Sequence, residues 1–411
     1  MPTKSLWTNH VFIRLLALAI LGGLGGWFDI FAFQVILVHQ WHSSPWIMSL
    51  LGVCYTLPVA ILSPFAGVIA DRINRKYLLL SSYSLMTIIT LILFTNVGIV
   101  LTLLLMFLRT AVGSINGPSE DGCLKSNVAQ DHLLAASSYF MAIANLNKIM
   151  VPLLGASILL IASPWDCVLI DAISSLIGLL VIITLPASRT QPPTDQQQAT
   201  ESPNSWLNNL KNGFQLLNVY RILLVIILLS GLATLTQAGA NTQIAYYLGY
   251  VLPNTPNAIG YFLSIEGAGA LLGIGMIKRY YHKQAAPYFA CVSFMLLAAS
   301  IFILASLPPH SSPIWVYIPA FTSGLSGGVL GILLSYIMLH YTPEAYMGRI
   351  TGVDQLVGSS AALIGILTGG MIATGFGISV LYFISAAALF AVGVVSLFVL
   401  NIPQTADNES N

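Results

Sequence analysis

The chain has 411 residues, of which 56% are hydrophobic and 7% charged, with a formal net charge of +1. A soluble protein of this length needs far more charge to cover its surface, which excludes an ordinary aqueous globule. The near-neutral balance also argues against a nucleic-acid partner.

The mean hydropathy of +0.84 is concentrated in repeated apolar runs of about 20 residues, the length of a membrane-crossing helix. A membrane β-barrel would show alternating segments of about ten residues instead. Twelve spans are expected, at 11–37, 46–69, 77–96, 98–118, 133–161 and 166–186, then at 221–248, 258–277, 286–307, 314–340, 350–374 and 376–400. The first run is too long for a signal-peptide core and has no clear cleavage site, so it counts as the first span. Between the second and third spans, residues 67–76 read Gly-Val-Ile-Ala-Asp-Arg-Ile-Asn-Arg-Lys. In so uncharged a chain, Asp71, Arg72, Arg75 and Lys76 mark a loop at the membrane surface.

Residues 187–205 form the only long polar break, with Pro192, Pro193, Gln196, Gln197, Gln198 and Pro203 in the manner of a flexible linker. Leu207, Leu210, Phe214 and Leu217 then recur at helical spacing. This predicts an amphipathic helix over 206–220 lying on the membrane surface, or a plain linker helix. The expected organisation is an N-terminal six-helix bundle (1–188), a linker with its surface helix (189–220), and a C-terminal six-helix bundle with a short tail (221–411). One echo supports duplication: Pro152-Leu-Leu-Gly155 in the fifth span and Ala362-Leu-Ile-Gly365 in the eleventh.

Of the 15 Lys and Arg residues, all but Arg109 and Lys148 fall in the N-terminal segment, in the even-numbered connections or at their borders. The positive-inside rule then places both termini and the linker in the cytoplasm.

Ionisable groups inside spans are costly, and they face a cavity or a partner. Asp29 shares a helical face with Gly22 and Gly26, so a close helix contact or cavity is expected beside it. It is a candidate proton carrier or a structural hydrogen-bonding group. Arg109 keeps its charge and must be paired or solvated; it could hold a carboxylate, bind a substrate anion or serve a structural ion pair. Lys148 stands mid-span with Asn145, Pro152 and Gly155 on its face, and either joins the site or extends its stem toward water. Glu266, with Gly269 and Gly273 beside it, is the deep acid of the second half and a second coupling candidate. Asp171 reads as structural, nearer the outer end of its span, and Asp354 as a cap or a partner of Arg349. Thr234, Gln237 and Asn241 form a polar stripe on the seventh span, either interhelical glue or a substrate-facing surface.

No Walker loop and no metal-ligand cluster is present, so neither ATP hydrolysis, nor a metal, nor any other cofactor is expected. Cys54, Cys123, Cys167 and Cys291 are scattered and read as small core residues.

The order Gly67, Asp71, Arg72, Arg75, Lys76 resembles the loop between the second and third helices of the major facilitator superfamily. Arg109 followed by Gly113 resembles the fourth-helix pattern of proton-coupled drug antiporters. Pro152 and Gly155 resemble the fifth-helix antiporter pattern, with Val151 and Ala156 standing where glycines are usual. Asp171-Ala172-Ile173-Ser174, Gly213, the glycines Gly260, Gly267, Gly269 and Gly273, and Thr342-Pro343 with Gly348-Arg349 resemble the enterobactin-exporter and macrolide-efflux branch.

The resemblance implies an all-α membrane protein with two pseudo-symmetric six-helix bundles working by alternating access. Asp29, Arg109, Gln237 and Asn241 would be candidates to face a central cavity. The expected function is secondary, proton-antiport export of a small amphiphilic or chelating molecule such as a drug or siderophore. Its partners would be that small-molecule substrate, protons and membrane lipids, for a monomer in a bacterial inner membrane. Lipid or lysophospholipid movement is the alternative, and a non-transporting receptor or scaffold is a third class. At the cytoplasmic face, Gly67, Asp71, Arg72, Arg75 and Lys76, with Gly348 and Arg349, are expected to form a gate, Gly67 permitting close helix packing.

Overall fold

The computed structural model describes residues 6–186, 215, 221–280, 286–343 and 346–399. Apart from Gln215, the expected surface helix over 206–220 lies outside them, as do the side chains of Asp71 and Arg72. The described residues are helices and their connections, with no strand among them. In hydrocarbon a backbone must satisfy its own hydrogen bonds, and a helix does so within a single segment. Twelve helical spans among the described residues are long and apolar enough to cross a membrane.

The described residues of 1–199 and 254–264 form one compact unit, and those of 200–253 and 265–411 form another. The first unit contains α1 (His10–Val35), α2 (Pro45–Arg72), α3 (Arg75–Phe94), α4 (Ile99–Gly113), α5 (Asn116–Asn127), α6 (Gln130–Ile158) and α7 (Pro164–Ile183). Asn9 caps α1: its side-chain oxygen accepts from the Val11 and Phe12 amides, and its Nδ2 donates to the Asn127 carbonyl at 2.8 Å. Ser163 and Asp166 close a capping box on α7. Cations seal the opposite helix ends. Arg14 donates to the Thr184 carbonyl at 2.6 Å, and Lys76 to those of Ile183 (2.8 Å) and Leu185 (2.5 Å). Arg75 instead donates to a carbonyl inside α5, that of Gly122, at 2.9 Å. Terminal carbonyls lack helical partners, and positive charge there complements the helix dipole.

The second unit contains α8 (Arg221–Thr242), α9 (Ile244–Val251), most of α10 (Ala258–Tyr280), α11 (Ala286–Ser306), α12 (Ile314–Tyr341), α13 (Met347–Phe376) and α14 (Ile378–Val399). Backbones approach closely here. A Cβ on Gly324 would collide with the Glu266 carbonyl, and one on Gly269 with that of Phe321, so α10 and α12 cross with little between them. Gly377, at φ +96°, turns the chain from α13 into α14 in a single residue, a conformation that favours glycine.

Internal repetition is visible in the packing. In the first unit α1 packs on α6 and α7, α3 on α7 and α4, and α6 on α7. In the second, α8 packs on α13 and α14, α11 on α14 and α12, and α13 on α14, the same ordinal spans in each case. The Gly155/Gly365 echo has a physical basis. A Cβ on Gly155 would lie 2.6 Å from the Phe31 ring of α1, and one on Gly365 would collide with the Leu235 carbonyl of α8.

Three sequence expectations need revision. The fourth span does not end at 118: α5 continues it to Asn127, because Pro118 falls in a first helical turn, where its missing N–H costs nothing. The seventh span breaks at Gln243 (φ −90°, ψ 0°) before α9. Gly67 does not make a close helix contact, since a Cβ there would meet nothing within 4 Å among the described residues. All four cysteines are free and buried.

Candidate functional site

Five helices of the first unit converge on one guanidinium. Arg109 of α4 donates from Nη1 to Asp29 Oδ2 of α1 at 2.8 Å, and from Nη2 to Asp171 Oδ2 of α7 at 2.6 Å. Its Nε donates to Thr90 Oγ1 of α3 at 3.0 Å, and that hydroxyl in turn donates to Asp171 Oδ2 at 3.3 Å. Tyr55 of α2 donates to Asp29 Oδ2 at 3.3 Å. Both aspartates are 0% exposed and Arg109 is 5% exposed. A planar guanidinium suits this task because its rigid fork serves several acceptors at once.

With both acids ionised the triad carries one net negative charge. An unbalanced charge in a low-dielectric bundle is costly. Each carboxylate uses only one oxygen. Asp29 Oδ1 and Asp171 Oδ1 are buried without a hydrogen bond among the described residues, with Ser175 close to Asp171. These are two places for an added proton.

Of the residues singled out in the sequence, the structure brings Asp29 and Arg109 together. Lys148 is exposed on α6, and the neighbouring Asn147 is the one that packs inward, its Nδ2 donating to the Ala19 carbonyl at 3.3 Å. Glu266 is half-buried on α10, within electrostatic reach of the Tyr382 hydroxyl. On α8, Gln237 is half-buried and Asn241 exposed. Asp354 accepts from Ser230 at 3.5 Å, and Arg349 lies over the Tyr346 ring at 5.8 Å. Gly348 stands in the first turn of α13. Arg75 is held by the Gly122 carbonyl of α5, and Lys76 by the end of α7.

Asp171 reads as structural in the sequence, without a named partner. Its sequence position suggested a structural acid near one end of its span, yet the long Arg109 side chain reaches it. The run Asp171-Ala172-Ile173-Ser174 was the available signal. Glu120 was missed, because the apolar run fades before it. It lies on α5 and accepts from Tyr83 at 3.3 Å. Thr90 and Tyr55 carried no signal beyond being polar within apolar runs.

The Major Facilitator Superfamily model matches residues 15–366. An uncharacterized MFS-type transporter of Bacillus subtilis, YfiS, is 25% identical over 400 residues, covering 96% of this chain and 94% of that protein. Macrolide efflux protein A of Streptococcus pyogenes is 20% identical over 86% of this chain and 87% of its own length. The multidrug efflux pump Tap of Mycolicibacterium fortuitum is 23% identical over 94% and 95%. Among solved structures, the nucleoside transporter NupG aligns with a TM-score of 0.74 at 11% identity, over 96% of this chain and 100% of that one. A POT family transporter in complex with 5-aminolevulinic acid aligns at 0.73 and 14% identity, over 97% and 98%. At such identities the structural likeness is one of fold. Together with the twelve spans, the family match establishes that the chain belongs to the Major Facilitator Superfamily, as a multi-pass secondary transporter of small molecules and not an enzyme.

Proposed function

We propose that this transporter exports a small amphiphilic or chelating molecule, a drug or siderophore by class, in exchange for protons. The observation that carries the coupling is the triad, in which one guanidinium serves two buried aspartates. Protonating either acid cancels the net charge and weakens one arm of the Arg109 fork. Five helices meet at that point, so the change in charge is felt across the bundle. The distant relatives named for macrolide and multidrug efflux support an amphiphilic substrate.

Lys148, Glu266, Gln237 and Asn241 are the polar side chains proposed to meet substrate. Gly67, Asp71 and Arg72 in the last turns of α2, Arg75 and Lys76 at the start of α3, and Gly348 with Arg349 are proposed to gate the cytoplasmic face of a monomer whose two termini are cytoplasmic, in a bacterial inner membrane. Lys76 would do so while anchored to the end of α7, and Arg75 while anchored to the Gly122 carbonyl within α5.

The test is transport in proteoliposomes under an imposed pH gradient, with erythromycin as the first probe. An inward proton gradient is expected to drive drug movement in the wild type but not in Asp29→Asn. Drug flux that ignores the gradient in the wild type contradicts the coupling.

A further inference from the structure

A cavity of about 280 Å³ lies within the first unit, beside the triad. Arg109, Asp171, Glu120, Tyr83 and Asn116 line it, together with Gly22 and Gly23 of α1. These polar side chains are set in a partly apolar wall, and the space is large enough for several waters. Tyr83 donates to Glu120 at 3.3 Å, and a Cβ on Gly22 would lie 3.0 Å from the Tyr83 hydroxyl. A Cβ on Gly25 would collide with Asp171 Oδ1, the oxygen that has no hydrogen bond among the described residues. Gly22 and Gly25 are three residues apart on one helix, about 4.5 Å along its axis. The glycine face of α1 therefore forms a floor joining the Glu120–Tyr83 pair to the free oxygen of the triad.

We propose that Glu120 is the relay through which the triad exchanges protons, by way of this cavity. This rests on the proton-coupled reading above and adds the route. In the transfer, the Glu120 carboxyl releases its proton to cavity water, and that water passes one to Asp171 Oδ1. Glu120 becomes anionic, the triad becomes neutral, and only O–H bonds form or break. Around Glu120 the ionisable neighbours are Tyr83 and Arg75 from α3, Asp121 and Cys123 from α5 itself, Arg109 from α4 and Asp171 from α7. From α6, Asp131 and His132 lie near the far end of α5, beside Asn127 and Val128. On α2 the Asp71 and Arg72 side chains lie outside the described residues.

The experiment is infrared titration of the full chain in detergent, following the carbonyl stretch of protonated carboxyls and its shift in heavy water. It needs no transported substrate. Asp29→Asn and Asp171→Asn identify the triad's band. Glu120→Gln, nearly isosteric, is expected to leave that band present and to slow its hydrogen–deuterium exchange by roughly a hundredfold, the scale of a lost positioned acid–base group. Gly22→Leu, which fills the cavity, should slow it similarly without removing any acid. Exchange at the wild-type rate in Glu120→Gln overturns the relay while leaving proton coupling intact. A wild-type triad with no protonated band across the titration overturns both.

Discussion

In the first unit the helices meet around charge: α1, α2, α3, α4 and α7 each send a polar side chain to the Asp29–Arg109–Asp171 cluster. In the second, helices meet backbone to backbone, Gly324 against Glu266, Gly328 against Ala270, and Gly239 against Gly365. The first kind of contact depends on protonation. The second depends only on shape and does not change with pH. A protein built of two such halves can confine its chemical sensitivity to one of them. The other can then serve as a body whose packing stays constant through the cycle.

The contrast breaks most sharply at Arg109. Arg109→Met leaves two carboxylates facing each other without a cation and should cost about 3–5 kcal/mol. Thermal unfolding in detergent should show a large fall in Tm, and a wild-type Tm would mean that the triad is not an energetic centre. In the second unit the comparable insult is steric. Gly324→Leu forces α10 and α12 apart at about 1–3 kcal/mol. Its Tm should fall equally at acid and neutral pH, whereas the Arg109→Met deficit should shrink on acidification as the carboxylates protonate.

Asp171→Asn and Asp29→Asn keep the shape and remove one negative charge, leaving a neutral pair with Arg109. Each should change stability by only about 1 kcal/mol while abolishing the pH dependence of transport. A pH profile that survives in both variants would move the coupling site elsewhere. Tyr382→Phe removes a hydroxyl that donates to the Ala240 carbonyl at 3.2 Å, for about 0.5–1.5 kcal/mol and no change in pH profile. Smallest of all, Gly67→Ala adds a methyl into open space within a helix. It should stabilise slightly, by about 0.4–1 kcal/mol. A drop in Tm there would reveal a neighbour beyond the described residues.

The twelve spans were legible because each is an apolar run long enough to cross a membrane, and the repeat of six because the break at 187–220 is polar. Asp29 and Arg109 stood out for the same reason: charge inside an apolar run has no solvent and must have a partner. Which partner was not legible. Asp171 was set aside by its place along its own helix, but depth along one helix does not say which neighbour an arginine on another can reach. Glu120 was hidden because it lies past the end of the apolar run. Polar residues after Ile115 looked like a loop, although the helix resumes at Asn116 with Pro118 in a tolerated position. Gly269 and Gly273 of α10, noted in the sequence beside Glu266, lie against α12 backbone, whereas Gly67 shows that a pattern of spacing does not by itself create a contact.

The cations at the end of α7 bear on how the first unit assembles during synthesis. Arg14 and Lys76 leave the ribosome well before Thr184, Ile183 and Leu185, whose carbonyls they hold. Asp29 and Arg109 likewise precede Asp171. When α7 arrives, the side chains that hold it are already laid down, so its insertion can complete the packing of α1 to α7 before any residue of the second unit has been translated, and residues 254–264 of the first unit join later.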